Sequence, residues 1–260
     1  MSPPHIEVRD LAKRWVTRDG SVPALEGISL SVAAQEFLTV LGPSGCGKST
    51  LLSIIGGLVR PDAGEVRLAG EPADGPDPRK VAMVFQDPGL FPWRTALENV
   101  EFGLELQRVS AARRREIARG LLEPVGLRGF ENRYPRELSG GMKQRVAIAR
   151  ALALDSPILL MDEPFGALDE QTRLLMGEWL LGIWMKTRKT VVFITHSLQE
   201  AIMLSQRIVV MTARPGRIKA SFEVRLPSPR DLTSPEATAL RAALWAEIRE
   251  ESRRALEDHP

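Results

Sequence analysis

The stretch "EFLTVLGPSGCGKSTLLSIIGG", from Glu36 to Gly57, restricts the fold more than any other part of the chain. "EFLTVL" is a short apolar strand that runs straight into Gly42, and Ser49 to Gly57 reads as a helix. Between them "GPSGCGKS" fits the pattern G-x-x-x-x-G-K-[ST] at every fixed position, and Thr50 extends it. Glycines let the backbone curl so that successive N–H groups point at one anion, and the following helix adds its positive end. Gly42, Pro43, Ser44, Gly45, Cys46, Gly47, Lys48, Ser49 and Thr50 are therefore the expected cradle of a nucleoside triphosphate. Lys48 reaches the β- and γ-phosphates, the Ser49 hydroxyl suits Mg²⁺, and Thr50 adds a phosphate contact. Cys46, the single cysteine, reads as a small filler with no disulfide partner in the chain.

A strand that feeds such a loop and then a helix belongs to an α/β fold, and the remaining pattern agrees. "IEVRD" and "ISLSV" are β-like runs near the start, and "PDAGEVRLAG" is a turn with a strand. "KVAMVFQ" lacks alternation and is expected to be buried on both faces. From Asp87 the character turns helical. Thr95 and Glu98 form a capping box, Ser110 is placed to cap the next helix, and Ile117, Leu121, Leu122 and Val125 share a face. The run Arg113, Arg114, Arg115 reads as a solvated helix face. Strands return at "PILLMDEP", "TVVFITH" and "RIVVMT", with a helix around "QTRLLMGEWLLGIWMKT" and a second capping box at Ser197 and Glu200. The expected domains are a core from 1–87 and 156–215, a helical insertion at 88–155, and a C-terminal strand and amphipathic helix at 216–260. The Leu240, Leu244, Ile248 stripe of that helix should pack on the domain, because its polar face mixes both charge signs.

Composition removes other classes. With 260 residues, 43% hydrophobic and 26% charged, the chain has the balance of a globular domain. Lys plus Arg exceed Asp plus Glu by only two, 35 against 33, so no nucleic-acid partner is expected. "MSPPHIEVRD" has neither the basic nor the apolar region of a secretion signal. No run approaches the roughly 18 to 20 apolar residues needed to span a bilayer. If the protein works at a membrane, another chain must cross it.

Polar groups close several strands. Asp162 ends "ILLMD", where a parallel sheet presents ligands at its carboxyl edge and one carboxylate suits Mg²⁺. The adjacent Glu163 projects differently and can polarise an attacking water. His196 follows "VVFIT", where an imidazole can contact the γ-phosphate. Gln86 ends "VAMVFQ", and its amide can reach Mg²⁺ or the water. Far downstream of the first loop, "LSGGMKQR" places Ser139, Gly140 and Gly141 at the start of a second helix, a second anion-gripping terminus.

In this order these motifs resemble an ATP-binding-cassette (ABC) ATPase: the P-loop, Gln86, "LSGGMKQR", "LLMDEP", "GALD" and His196. The resemblance covers nearly the whole chain. It implies a RecA-like P-loop core with an N-terminal antiparallel β subdomain and an inserted α-helical subdomain. It also implies ATP and Mg²⁺, with hydrolysis by Glu163, His196 and Gln86, and Mg²⁺ held by Ser49, Gln86 and Asp162. One rigid chain cannot wrap a single γ-phosphate with both loops. The resemblance accordingly implies a head-to-tail homodimer in which Ser139, Gly140 and Gly141 close over the partner's nucleotide. Asp169 of "GALD" would couple the two sites, and Gly166 stands there where the wider family commonly has Ser. Trp15 takes the place of the adenine-stacking aromatic. "GLFPWRT" is expected to expose Leu90, Phe91 and Trp93 to a cytoplasmic helix of a permease.

Three classes within that fold compete. A DNA-maintenance ATPase would need a long coiled coil or mismatch-reading domains, and Gln86 to Ser139 is too short for a coiled coil; a ribosome-acting factor normally carries two cassettes, and only one is present. A transport ATPase remains, and the lack of fused membrane helices favours an importer. "PFGALDEQTR", "LFPW", "MTARPGRI" and the tail "LPSPRDLTSPEATALRAALWAEI" resemble the nitrate/sulfonate/taurine importer group. The implied partners are two membrane permease subunits and, indirectly, a solute-binding protein, at the cytoplasmic face of the plasma membrane.

Overall fold

A computed structural model describes residues 4–17, 20–228 and 230–257. The first three residues and Pro229 of the quoted tail lie outside them. In chain order the elements are β1 (Ile6–Thr17), β2 (Gly20–Val32), β3 (Phe37–Leu41), α1 (Lys48–Ile55), β4 (Ala63–Leu68), β5 (Glu71–Pro72), β6 (Val81–Val84), α2 (Ala96–Leu106), α3 (Ala111–Leu122), a 3-10 turn (Pro135–Glu137), α4 (Gly140–Ala153), β7 (Ile158–Asp162), α5 (Glu170–Thr187), β8 (Thr190–Ile194), α6 (Leu198–Leu204), β9 (Arg207–Met211), β10 (Ile218–Glu223) and α7 (Pro235–Glu257). They fall into two compact units, Met1–Asp77 with Arg188–Pro260, and Pro78–Thr187.

The first unit carries an antiparallel sheet in the order β2-β1-β4-β5 and the parallel run β8-β3-β9, with β10 antiparallel beside β9. This is the expected α/β fold, with a β subdomain beside the sheet that carries the P-loop. β3 and β8 are buried along their whole lengths, and the rings of Phe37 and Phe193 meet at 5.9 Å between them. β1 is longer than "IEVRD" suggested. Its pairing shifts register after Val8, where Asp10 turns to φ +46° and its N–H takes the Ser29 hydroxyl at 3.0 Å. That bulge interrupts the alternation by which a strand is read. α7 packs as its stripe predicted: Leu244 is fully buried with Ile202, Ile208 and Val210, and Leu240 and Ile248 lie against them.

The second unit pairs β6 with β7 in parallel and holds α2 to α5. It takes in β6, β7 and α5 as well as the helices of 88–155, and β6 is tied to α4: Gln144, 1% exposed, donates from Nε2 to the Phe85 carbonyl at 3.1 Å. β6 is also not buried on both faces as expected. Ala82 and Val84 are buried, while Val81 and Met83 are half-covered. The Thr95–Glu98 capping box is complete, whereas Ser110 sits at the start of α3 with no side-chain cap. Ser197 caps α6, and the Glu200 carboxylate accepts from the Thr195 hydroxyl at 2.5 Å. Of the arginine run, Arg113 faces Glu116, while Arg114 turns inward to Glu101, with Nε 3.3 Å from Oε2.

Candidate functional site

In the first unit β3 ends at Leu41 and α1 begins at Lys48, leaving Gly42 to Gly47 as the loop between them. Gly45 and Gly47 have φ +76° and +100°, the region where only glycine is unstrained. Gly47 is doubly required, since a Cβ there would lie 2.7 Å from both the Ala24 carbonyl oxygen and Leu25 Cδ2. The Lys48 ammonium lies back over the loop, donating to the carbonyls of Gly42 at 2.8 Å and Pro43 at 2.9 Å. These are exchangeable partners for a cation, so phosphate oxygens can replace them without leaving the charge bare. Ser44, Gly45 and Ser49 are exposed.

Cys46 is 1% exposed, and burial pushes its thiol above the ordinary value, against the opposing pull of Lys48. It is a packed thiol, not a nucleophile. Trp15 projects from β1 beside the same loop, its Nε1 3.4 Å from Thr50 Oγ1, its ring 43% exposed with Lys13 Nζ 5.3 Å from the centroid. A flat apolar face thus stands open at the rim of the anion loop. His196 is exposed just past the end of β8.

The second unit carries the other groups. Gln86 is exposed beyond β6, and Asp162 ends β7 with 6% exposure. Glu163 follows with φ +45°, an unusual value for a residue with a side chain, and its carbonyl accepts from Gly166 N–H at 3.1 Å. Strain of this kind collects at functional sites. A Cβ on Gly166 would sit 3.4 Å from that carbonyl oxygen, so the Gly in place of Ser is not a steric necessity.

Ser139 caps α4, its hydroxyl accepting from Met142 N–H at 3.3 Å, and Ser139 and Gly140 are exposed. Gly141 packs on the next loop: a Cβ there would come within 2.9 Å of Leu168 Cδ2 and 3.5 Å of the Ala167 carbonyl oxygen. Asp169, one residue on, caps α5 by accepting from Thr172 N–H at 2.9 Å. That bond is the main reason its carboxyl is held below the usual range. The structure therefore brings the Ser-Gly-Gly turn and "GALD" into contact within one unit.

The segment after Gln86 departs from expectation. Leu90 and Phe91 are only half-exposed; Trp93 alone stands out, at 71%. Phe91 turns inward because its ring packs on Phe102 at 4.5 Å and on Trp93 at 5.7 Å, under the Arg150 guanidinium at 5.8 Å. Beside Trp93 a cleft is lined by Glu101, Glu105, Arg114 and Arg119.

Three residues hold this segment that sequence reasoning passed over. Asn99, fully buried, accepts from Phe91 N–H at 2.8 Å and donates to the carbonyls of Arg94 at 3.0 Å and Thr95 at 2.9 Å. Arg150 of α4 donates to the carbonyls of Pro88 at 2.7 Å and Gly89 at 2.9 Å. Gln144, from the same helix, holds Phe85. A polar residue among the apolar positions of α2, or an Arg and a Gln inside "MKQRVAIARAL", is the available signal, but it names no partner.

The profile of the ABC transporter family matches residues 25–166. The chain is 51% identical to an ABC transporter ATP-binding protein of Methanocaldococcus jannaschii, over 96% of this chain and 94% of that one. It is 47% identical to the nitrate import ATP-binding protein NrtD of Synechocystis, covering 87% and 85% respectively. It is also 48% identical to the taurine import ATP-binding protein TauB of Yersinia pestis, covering 78% and 79%. Among solved structures it is similar to the ATP-binding cassette MJ0796, seen as a dimer in a post-hydrolysis state bound to ADP and Pi. There the TM-score is 0.79 at 35% identity, covering 85% of this chain and 99% of that one.

Proposed function

Since the chain belongs to the ABC transporter family as an ATP-binding subunit whose ATP hydrolysis drives import, we propose that it energises uptake of a small anion of the nitrate, sulfonate or taurine kind through two separate permease subunits. Relatives 47% and 48% identical that carry those import names support the cargo class. No helix among the described residues is long and apolar enough to cross a membrane. The crossing therefore belongs to the permeases, with this subunit at their cytoplasmic face and Trp93 as the contact that stands free. A solute-binding protein would deliver cargo to the permeases without touching this chain.

Within the site, Lys48 moves from its two carbonyls to the β- and γ-phosphates, and Trp15 stacks on adenine. Glu163 polarises the attacking water, and His196 and Gln86 orient it at the γ-phosphate. Ser49 in the first unit and Asp162 and Gln86 in the second are assigned to Mg²⁺ by the chemistry of their oxygens, a hydroxyl, a carboxylate and an amide. When bound, the cation would neutralise charge on the phosphate oxygens. Asp169 is assigned to coupling between the two sites of a homodimer.

The observation that carries this reading is the Ser139-Gly140-Gly141 turn, in which Ser139 and Gly140 are exposed. It is a capped helix start, whose first amides have no carbonyl of their own helix to bond, in a chain that already owns a complete anion loop. A second copy supplies the phosphate it grips. The test is to mix Lys48→Ala and Ser139→Arg subunits, each inactive alone. Half of the random pairs are heterodimers and each holds one intact composite site, so about a quarter of wild-type turnover returns. Activity no higher than either variant alone, with heterodimers shown to form, refutes sharing.

A further inference from the structure

"MTARPGRI" plays no part in the site described above, yet it is built around the anion loop. Arg214 donates from Nε at 3.2 Å and from Nη2 at 3.1 Å to a single acceptor, the Gly45 carbonyl, at the outer side of that loop. Gly216 seals the turn behind it. Its N–H donates to the Ala24 carbonyl at 2.9 Å, its carbonyl accepts from Glu26 N–H at 3.1 Å, and a Cβ there would lie 2.1 Å from the Cys46 carbonyl oxygen. The Thr212 hydroxyl closes the turn on itself, accepting from Arg217 N–H at 3.0 Å and donating to the Pro215 carbonyl at 3.0 Å.

The far end of the turn is fastened to α7. Glu251, 1% exposed, accepts from Ala213 N–H at 2.8 Å through Oε2, and its Oε1 is paired with Lys219 Nζ at 2.9 Å. A buried carboxylate costs several kcal/mol unless paired and bonded in this way. Its position is therefore tightly specified.

We propose that Arg214 is a positioning residue for nucleotide binding, and that the Thr212–Arg217 turn, anchored by Glu251, is a clamp holding the Gly45–Cys46 peptide in its phosphate-binding orientation. The Gly45 carbonyl and the Cys46 N–H are the two ends of one planar peptide unit. Pinning the carbonyl outward fixes the N–H toward the concave side, where the phosphate must sit. Gly45 is free to rotate, with φ +76° and no side chain, so the loop itself does not prevent that peptide from flipping. The Cys46 N–H makes a long turn bond, 3.4 Å to the Pro43 carbonyl, which is easily given up to an anion. A cation on the carbonyl also polarises the peptide and strengthens the N–H as a donor. The clamp rests on the reading of residues 42–50 as the nucleotide grip.

The experiment titrates ATP binding and measures steady-state hydrolysis in Arg214→Gln, Arg214→Lys and Glu251→Gln, with Lys48→Ala as control. Arg214→Gln is expected to raise Kd and KM for ATP about tenfold while kcat stays within about twofold. Arg214→Lys, which keeps one charged donor, recovers part of the loss. Glu251→Gln moves Kd the same way by a smaller factor, because an amide still accepts from Ala213 but no longer pairs with Lys219. Arg214 is exposed, so its variants should fold even if the buried Glu251 variant does not. An ATP Kd within twofold of wild type in Arg214→Gln, or a fall in kcat with Kd unchanged, overturns the clamp. Normal turnover in Lys48→Ala would instead bring down the P-loop assignment beneath it, and the clamp with it.

Discussion

Arg150→Gln tests whether α4 holds the segment that follows Gln86. In the native chain the guanidinium makes two charge-assisted bonds, to the Pro88 and Gly89 carbonyls, and covers the Phe91 ring. Bonds from a charged donor are worth about 1.5–3 kcal/mol each, and a cation over an aromatic face adds ~0.5–1 kcal/mol. The Gly89 bond is solvent-exposed and counts for less. Burial of the guanidinium, which also pulls its pKa below the ordinary arginine value, offsets part of the gain. A net ~2–3 kcal/mol remains, which corresponds to roughly thirty- to a hundredfold in the population of a detached segment. Asn99 still holds Phe91, so the loosening is confined to residues 87–90. Hydrogen exchange followed by mass spectrometry should show faster exchange of the peptide over 86–91 by a factor of that order. Peptides of α4 and α2 should remain protected, and Arg150→Lys should fall in between. Unchanged exchange over 86–91 in a folded variant would refute the view that α4 holds this segment.

Three further outcomes are expected. Gly141→Ala pushes a methyl to within 2.9 Å of Leu168 Cδ2, so the buried Leu168 side chain next to Asp169 must give way; ATP turnover should fall more than ATP binding in paired assays. Trp15→Ala should weaken ATP binding about threefold to tenfold, and Trp15→Phe much less, in a nucleotide titration. Cys46 should resist alkylation in the folded chain at pH 8, because burial raises its thiol pKa above 9.0. Well below pH 9.0 the thiol is protonated in both states. As pH rises past that value the unfolded chain releases its proton first, so the melting temperature should fall more in wild type than in Cys46→Ala.

What could be read in advance and what could not divide along a physical line. The anion loop was legible because its chemistry dictates residue type at fixed spacing. Positive φ at Gly45 and Gly47 and the crowding at Gly47 admit almost nothing but glycine, and the lysine and hydroxyl must follow in register. The places of Asp162, Glu163 and His196 at strand ends were legible because the short apolar runs of β7 and β8 stop at a polar residue. The exposure of Phe91 was misread because periodicity does not reveal that Phe102, eleven positions on, offers it a ring to pack against. Asn99, Gln144, Arg150 and Arg214 share another reason for being missed: each acts on a main-chain carbonyl. A carbonyl belongs to every residue, so no second member of the pair is marked in the sequence. Gln144 and Phe85 are 59 positions apart and Arg214 and Gly45 are 169, and neither Phe85 nor Gly45 enters its bond through a side chain. Groups that touch phosphate write themselves into the sequence as motifs. The groups that hold those motifs in shape appear only as isolated polar residues, and their partners are visible only once the backbone has been placed.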